Sequence, residues 1–322
     1  MGWAMPTGQA FFLWPIDPAR RPLEPAKAWR LAPSYSSAML AYRHAFHAGN
    51  HADVLKHLIL TQVLRYMGEK DKPYTLVDTH AGAGGYSIEG QYAQKKGEYV
   101  HGVSKLWDAK DLPAPLADYL DLVRAFNPDK QLRQYPGSPA IANLVMREED
   151  RLRTYELHPT DFRILQSYLD SRPNTQVADT DGFASLRGEL PPPSRRAVVL
   201  IDPSYELKTD YAKVLAALRE GLERFADGVY MIWYPQLQLL ESAQLAQRLK
   251  AAADASKRGW LHVRLTVQQQ ADTRGFGMLG SGMFIVNPPF TLHDDLQACL
   301  PYLVEKLGQY DGANFILEQR AK

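Results

Sequence analysis

The four residues Asp202-Pro203-Ser204-Tyr205 follow an apolar run, Ala197 to Ile201, and their types in that order suit one kind of chemistry. An exocyclic amino nitrogen of a base is a poor nucleophile, because its lone pair is delocalised into the ring. Two acceptors aimed at its hydrogens localise that pair. The Asp202 carboxylate is one acceptor and the Pro203 backbone carbonyl the other, since proline accepts and does not donate. A hydrogen bond to a charged group contributes about 1.5–3 kcal/mol, and Tyr205 stacked on an extruded base would add about 1–3 kcal/mol. A lone Asp-Pro is more often an acidic strand end followed by a turn, so this segment needs a partner elsewhere in the chain.

That partner is Val77-Asp78-Thr79-His80-Ala81-Gly82-Ala83-Gly84. Small residues at the end of a first strand let the backbone approach a ligand, and ligands of open α/β sheets bind outside the carboxyl ends of the strands. The glycines do not follow G-x-G-x-x-G, and an acid, Asp78, precedes them. Both points depart from nicotinamide dinucleotide usage and suit S-adenosylmethionine, whose sulfonium and amino groups are cationic. A tight strand-to-helix turn without a ligand is the plain alternative. Further along, Glu156 in Tyr155-Glu156-Leu157 is placed to hold ribose hydroxyls, if it is not simply an exposed glutamate. Asp181-Gly182 could accept from an adenine amino group, or be an Asp-Gly turn. Ser138 before Pro139 reads first as a helix N-cap, with a cofactor role possible on top.

Other motifs are weaker. Asn287-Pro288-Pro289-Phe290 matches an amino-methyltransferase tetrapeptide better than Asp202 to Tyr205 does. It follows the last strand, expected to run antiparallel and to end away from the cofactor face, so it reads as structural. His44, His47, His51 and His57 crowd one segment beside Asp53, yet only 47/51 is an i, i+4 pair and no cysteine assists, so no metal is expected and the run reads as helix capping or contact with the cofactor. Lys95-Lys96 and Arg195-Arg196 read as solvated surface, with phosphate contact as the alternative.

The elements that must position these residues follow from periodicity. Leu55, Leu58, Ile59, Val63 and Tyr66 recur at helical spacing over Ala52 to Met67. Strands are expected at Tyr74 to Asp78, Arg153 to Leu157, Gln176 to Ala178, Ala197 to Asp202, Gly228 to Trp233, His262 to Val267 and Met283 to Val286. Helices are expected near Asp161 to Leu169 and through Val214, Leu215, Leu218, Leu222 and Phe225. Residues 87–150 contain helical stretches, near Pro113 to Phe126 and Ala140 to Glu149, and no convincing strand, so they read as a helical insertion. Alternating strands and helices imply an α/β, mostly parallel sheet covered on both faces. No internal repeat and no low-complexity tract is visible.

Composition limits the classes. The chain has 322 residues, 45% hydrophobic and 23% charged, with a formal net charge of +1. It is long enough for about two domains, or one large domain with an insertion. No apolar run approaches the roughly 18 residues of a membrane span. The single cysteine, Cys299, excludes an internal disulfide and suggests a reducing compartment, the cytoplasm. Any nucleic-acid surface must be a local basic patch, because the overall charge is nearly balanced. Residues 1–38, rich in Pro, Ala and Arg, read as a poorly ordered extension or the product of a start upstream of Met39.

From Met39 onward the chain resembles the RlmJ family of large-subunit ribosomal RNA adenine-N6 methyltransferases. The resemblance is carried by the segment from Tyr42 to His57, by Asp78 to Gly84, by Tyr135-Pro136-Gly137-Ser138-Pro139, by Glu156-Leu157-His158-Pro159 and by Ile201-Asp202-Pro203. It implies a Rossmann-like class I methyltransferase fold, with a seven-stranded sheet whose last strand is antiparallel and a small helical insertion. The expected layout is an extension at 1–38, a methyltransferase domain at 39–86 and 151–322, and an inserted subdomain at 87–150. The resemblance also implies cofactor contacts at Lys56, His57, His80, Ser138, Glu156, Asp181, Gly182 and Asp202, with Asp202 as the catalytic acceptor and Tyr42 close to the target base. The family pattern has a second proline where this chain has Ser204, which frees a backbone N–H and relaxes φ. The expectation is S-adenosylmethionine-dependent N6-methylation of one flipped-out adenosine of 23S ribosomal RNA, by a cytoplasmic monomer without metal or membrane. A DNA adenine-N6 methyltransferase and a non-catalytic RNA-binding protein are the rival readings.

Overall fold

A computed structural model of the chain describes residues 44–89, 97–269 and 277–321. The expected extension at 1–38, Tyr42 and the Lys95-Lys96 pair lie outside these residues.

The sheet is built around β6 (Ala197–Ile201), in which all five residues are buried. Val198 and Leu200 belong to one core cluster and Val199 and Ile201 to the other, the two-residue alternation of a strand covered on both faces. β1 (Thr75–Asp78) pairs parallel with β6 on one side and with β4 (Arg151–Tyr155) on the other. β5 (Thr175–Ala178) pairs parallel with β4, and β7 (Val229–Gln236) parallel with β6. These five strands place Asp78, Glu156 and Asp202 at or just beyond their carboxyl ends, with Asp181 in the segment after β5.

Beyond β7 the direction alternates. β9 (Gly280–Val286) runs antiparallel between β7 and β8 (Trp260–Thr266). β10 (Asn314–Arg320) adds an antiparallel eighth strand outside β8. The seven expected strands therefore become eight. β10 has only Phe315, Ile316 and Leu317 as apolar residues and is half exposed, as an edge strand allows, so it lacks the buried alternation that marks the others.

One face carries α1 (His51–Gly68), α3 (Ser138–Val145) and α8 (Leu292–Leu307). The other carries α6 (Thr209–Arg224) and α7 (Leu240–Ala255). α1 starts where expected for a physical reason: Asn50 is its N-cap, and its side-chain oxygen accepts from the backbone N–H of Ala52 and Asp53. Leu55, Leu58, Ile59 and Val63 then face the core. α4 (Pro159–Leu169) and α5 (Gly182–Glu189) follow β4 and β5.

The segment 87–150 is not purely helical. β3 (Gln134–Pro136) pairs antiparallel with β2 (Gly85–Ser87) as a separate two-stranded ribbon. Three residues are too few to show a period, which is why no strand was expected there. α2 (Ala114–Ala125) supplies Leu116, Tyr119, Leu120 and Val123 to the same core cluster as α1. At the front of this segment Val103 N–H donates to Gly49 O at 2.8 Å. A Cβ at Gly102 would lie 2.1 Å from that same carbonyl oxygen, so only glycine permits the approach.

Candidate active site

A cavity of about 400 Å³ opens at the carboxyl ends of the parallel strands. Lys56, His57, His80, Ser138, Glu156, Asp181, Gly182, Asp202 and Pro203, drawn from segments far apart in sequence, all line it.

Asp202 stands just past β6, where the strand hands over to the Pro203 turn. Its Oδ2 accepts a hydrogen bond from Lys56 Nζ at 2.6 Å. Lys56 is buried and also lies 2.9 Å from Asp53 Oδ1, one helical turn earlier on α1. Burial works against the ammonium, but the Asp202 and Asp53 carboxylates outweigh it and raise the Lys56 pKa. Burial raises the Asp202 carboxyl, and the Lys56 charge counters it. Asp53 feels the same burial, yet the His44 and Lys56 charges hold it well below the ordinary carboxylate range. The Lys56 ammonium is therefore favoured, and Asp202 is a stronger proton acceptor than a solvated aspartate.

The glycine loop after β1 has Gly82 and Gly84 at φ of 63° and 83°, values that glycine adopts without strain. Asp78 is fully buried and accepts from Ser138 Oγ at 2.6 Å. Burial pushes its pKa up to about 6, against the Ser138 bond that lowers it. Glu156 Oε2 accepts from Gly82 N–H at 2.8 Å and Oε1 from His158 N–H at 2.6 Å, so this acid braces two loops. Burial raises it to about 7. Asp181 caps α5 through Oδ1, which accepts from Phe183 N–H at 2.9 Å. A Cβ at Gly182 would sit 2.0 Å from Thr79 O, so α5 can start this close to the loop only with glycine there.

Two histidines in the cavity wall are neutral. Burial lowers His80 to about 4, and its ring meets Phe183 edge-on at 4.7 Å. Burial also takes His57 well below its ordinary value. His57 Nδ1 is 2.8 Å from Tyr135 Oη, while its buried Nε2 has no partner among the described residues.

Some expectations change. Tyr205 does not offer its ring to a base: it is buried, its hydroxyl donates to Trp233 O at 2.6 Å, and its ring packs against Tyr211 at 4.7 Å and Trp233 at 5.9 Å. The chain turns through φ of 54° at Tyr205, which sends the side chain under the site instead of into it. Ser138 is the first residue of α3, and Gly137, not Ser138, is the cap position; the hydroxyl serves Asp78. Asn287, in the competing tetrapeptide, donates to Ala226 O and Gly228 O, both at 2.8 Å, at the start of β7. It lies at the opposite end of the sheet from Asp202, as its place after an antiparallel strand predicted. The sequence assigns no role to Asp53, Tyr86, Phe183 or Lys213, and gives His44 helix capping or contact with the cofactor. His44, Tyr86, Phe183 and Lys213 line the cavity, and Asp53 lies buried behind Lys56. The histidine-rich run before α1 was the available signal for His44 and Asp53. Tyr86, Phe183 and Lys213 carry none, because β2, α5 and α6 meet only in the fold.

Residues 71–317 match the model of the family described as RsmJ, ribosomal RNA large subunit methyltransferase D, RlmJ. The chain belongs to this family. It is 45% identical over 269 residues to ribosomal RNA large subunit methyltransferase J of Escherichia coli strain K12, covering 84% of this chain and 94% of that protein. The Haemophilus influenzae protein of the same name is 43% identical over 270 residues, with the same coverage. A crystal structure from Legionella pneumophila superposes with a TM-score of 0.77 at 33% identity, over 86% of this chain and 99% of that one.

Family and fold together make the chain a class I methyltransferase that uses S-adenosylmethionine. The cavity fits that group on its own chemistry. Glu156, Asp181 and Asp202 in the lining suit a cationic ligand, with Asp78 buried behind Ser138, and the unpartnered His57 Nε2 is a buried polar atom for a ligand to meet.

Proposed function

We propose that this protein methylates N6 of one adenosine in 23S ribosomal RNA, and that Asp202 and the Pro203 carbonyl hold the amino group during transfer. The observation that carries the reading is the Asp202 carboxylate, paired with Lys56 at the floor of the carboxyl-end cavity, with Pro203 beside it. S-adenosylmethionine supplies an electrophilic methyl group on a sulfonium sulfur. Lys56, His57, His80, Ser138, Glu156, Asp181 and Gly182 are the residues that would hold it.

The remaining chemistry is the chain's own. The target adenine is extruded from its stack, because N6 inside a helix is out of reach. Asp202 and the Pro203 carbonyl accept its two N6 hydrogens and localise the lone pair. Lys56 fixes the Asp202 carboxylate in its ionised form before the base arrives. Once the nitrogen has gained its methyl group it must lose one proton, and the burial-raised Asp202 is placed to take it or pass it to water. Acceleration then comes from positioning and preorganised charge, with no covalent intermediate on the protein. On the strength of the resemblance, Tyr42 meets the target base; His44, two residues on, lines the cavity. The protein acts as a cytoplasmic monomer and without a metal. Among the described residues no helix is long and apolar enough to cross a membrane.

The test uses purified protein, labelled S-adenosylmethionine and protein-free large-subunit RNA from a strain lacking this gene, followed by mapping of the product. A single N6-methyladenosine is the expected result. Transfer to matched DNA oligonucleotides in preference to RNA would favour the DNA reading, and cofactor binding without any transfer would favour a non-catalytic RNA-binding protein.

A further inference from the structure

Asp53 has no role in the function described so far, yet it is the most heavily engaged carboxylate near the site. It lies in the first turn of α1, 1% exposed, behind Lys56 as seen from the cavity. Its two oxygens do different things. Oδ2 accepts from Gly49 N–H at 2.9 Å and lies 2.9 Å from His44 Nε2, tying down the turn that leads into α1. Oδ1 accepts from Lys56 Nζ at 2.9 Å.

We infer that Asp53 is a positioning residue for methyl transfer, fixing the Lys56 ammonium so that it presents the Asp202 carboxylate to the amino group. The inference rests on the role of Asp202 proposed above. A lysine has four rotatable side-chain bonds, and one contact to Asp202 would leave its ammonium free to swing. The second contact, from its own helix one turn earlier, removes that freedom. Neutralising the Lys56 charge gives no reason for a second carboxylate. A lysine with one carboxylate is a balanced buried pair, and a second buried carboxylate adds a desolvation cost. Helix capping gives none either, because Asn50 is the N-cap. The Gly49 and His44 contacts use only Oδ2, which an amide oxygen would replace. What an amide cannot replace is the acceptor facing Lys56.

Asp53→Asn separates the two roles. Its amide oxygen can serve the turn while its NH2 group faces the ammonium. Single-turnover transfer to RNA from the strain lacking this gene is measured for the wild-type chain, Asp53→Asn, Asp202→Asn and the double variant, alongside cofactor binding and melting temperature. A positioning role predicts that Asp53→Asn slows transfer by about 30-fold or more, while melting changes little and cofactor affinity changes by no more than about three-fold. It also predicts that Asp53→Asn has under about a three-fold further effect in the Asp202→Asn background, because both act on one group. Wild-type transfer by Asp53→Asn, or an undiminished effect in the double variant, would overturn the inference. If Asp53→Asn melts below assay temperature, Asp53→Glu is read by the same criteria, since it keeps the charge but moves it by one methylene. An Asp202→Asn variant as fast as wild type would instead overturn the role of Asp202 and the inference with it. A slow Asp202→Asn beside a normal Asp53→Asn counts against the inference alone.

Discussion

Lys56 Nζ lies 2.6 Å from Asp202 Oδ2, joining α1 to the end of β6 across 146 residues of sequence. The contact is buried on the lysine side and nearly so on the aspartate side, at 4% and 12% side-chain exposure. It sets the Lys56 charge directly against the burial that raises the Asp202 carboxyl.

Replacing Lys56 with Met leaves Asp202 buried without its cation and Asp53 with His44 alone. Breaking a buried pair by removing one partner costs about 3–5 kcal/mol. Lys56→Met is expected to lower the melting temperature clearly and to reduce transfer by at least about 100-fold. Thermal denaturation and single-turnover assays check both effects.

The position of Tyr205 separates packing from stacking. Tyr205→Phe keeps the ring against Tyr211 and Trp233 and loses only the hydrogen bond to Trp233 O. A stability loss of about 1 kcal/mol is expected, with turnover and KM for RNA nearly unchanged. Tyr205→Ala removes buried aromatic bulk and is expected to cost about 3–5 kcal/mol. Denaturant titration and steady-state kinetics on both variants check this. A large KM effect in a stable Tyr205→Phe would restore a direct contact with the base.

Cofactor binding is expected to release protons. Burial places Asp78 at about 6 and Glu156 at about 7, both above their unfolded values. Between about pH 4 and 7 these two groups therefore hold more protons in the free folded chain than in the unfolded chain. The stability these groups contribute is fully present below their unfolded pKa values and is lost as pH rises through the folded ones. A cationic ligand favours the charged carboxylates and lowers both pKa values. S-adenosylmethionine is therefore expected to bind more tightly at pH 8 than at pH 6. Calorimetry at pH 6.5 in two buffers of different ionisation enthalpy reads the released protons directly.

How far the sequence reached depends on whether the signal was local. Val198 to Ile201 and Leu76-Val77 are short buried strands followed by an Asp and by a glycine loop, and both ends were legible because ligand and strand share one stretch of chain. α1 was legible from the spacing of Leu55, Leu58, Ile59 and Val63. β10 was not, because an edge strand needs only one covered side and carries few apolar residues. β3 was not, because its pairing with β2 joins segments with no common period. In the site, Lys56 and Asp202 were each singled out, but nothing in the sequence pairs them. The burial of Tyr205 depends on a positive φ at a non-glycine residue, which the residue type argues against.

Gly182→Ala is expected to damage the cofactor wall. The added Cβ would meet the Thr79 backbone oxygen at 2.0 Å, and a backbone atom cannot swing aside as a side chain can. Overpacking of this kind costs about 1–3 kcal/mol. A lower melting temperature and weaker S-adenosylmethionine binding are expected together, measured by thermal shift and calorimetry. Unchanged binding in a folded variant would remove the start of α5 from the cofactor site.

The central claim is that Asp202 acts chiefly on the amino group and only weakly on cofactor binding, and Asp202→Ala tests it most directly. Its single-turnover rate on 23S ribosomal RNA from a strain lacking this gene is compared with wild type, with S-adenosylmethionine affinity measured on the same samples. The account predicts a rate loss of about 1,000-fold or more in a folded protein whose cofactor affinity changes by only a few-fold. Near-normal turnover by a folded Asp202→Ala would contradict it.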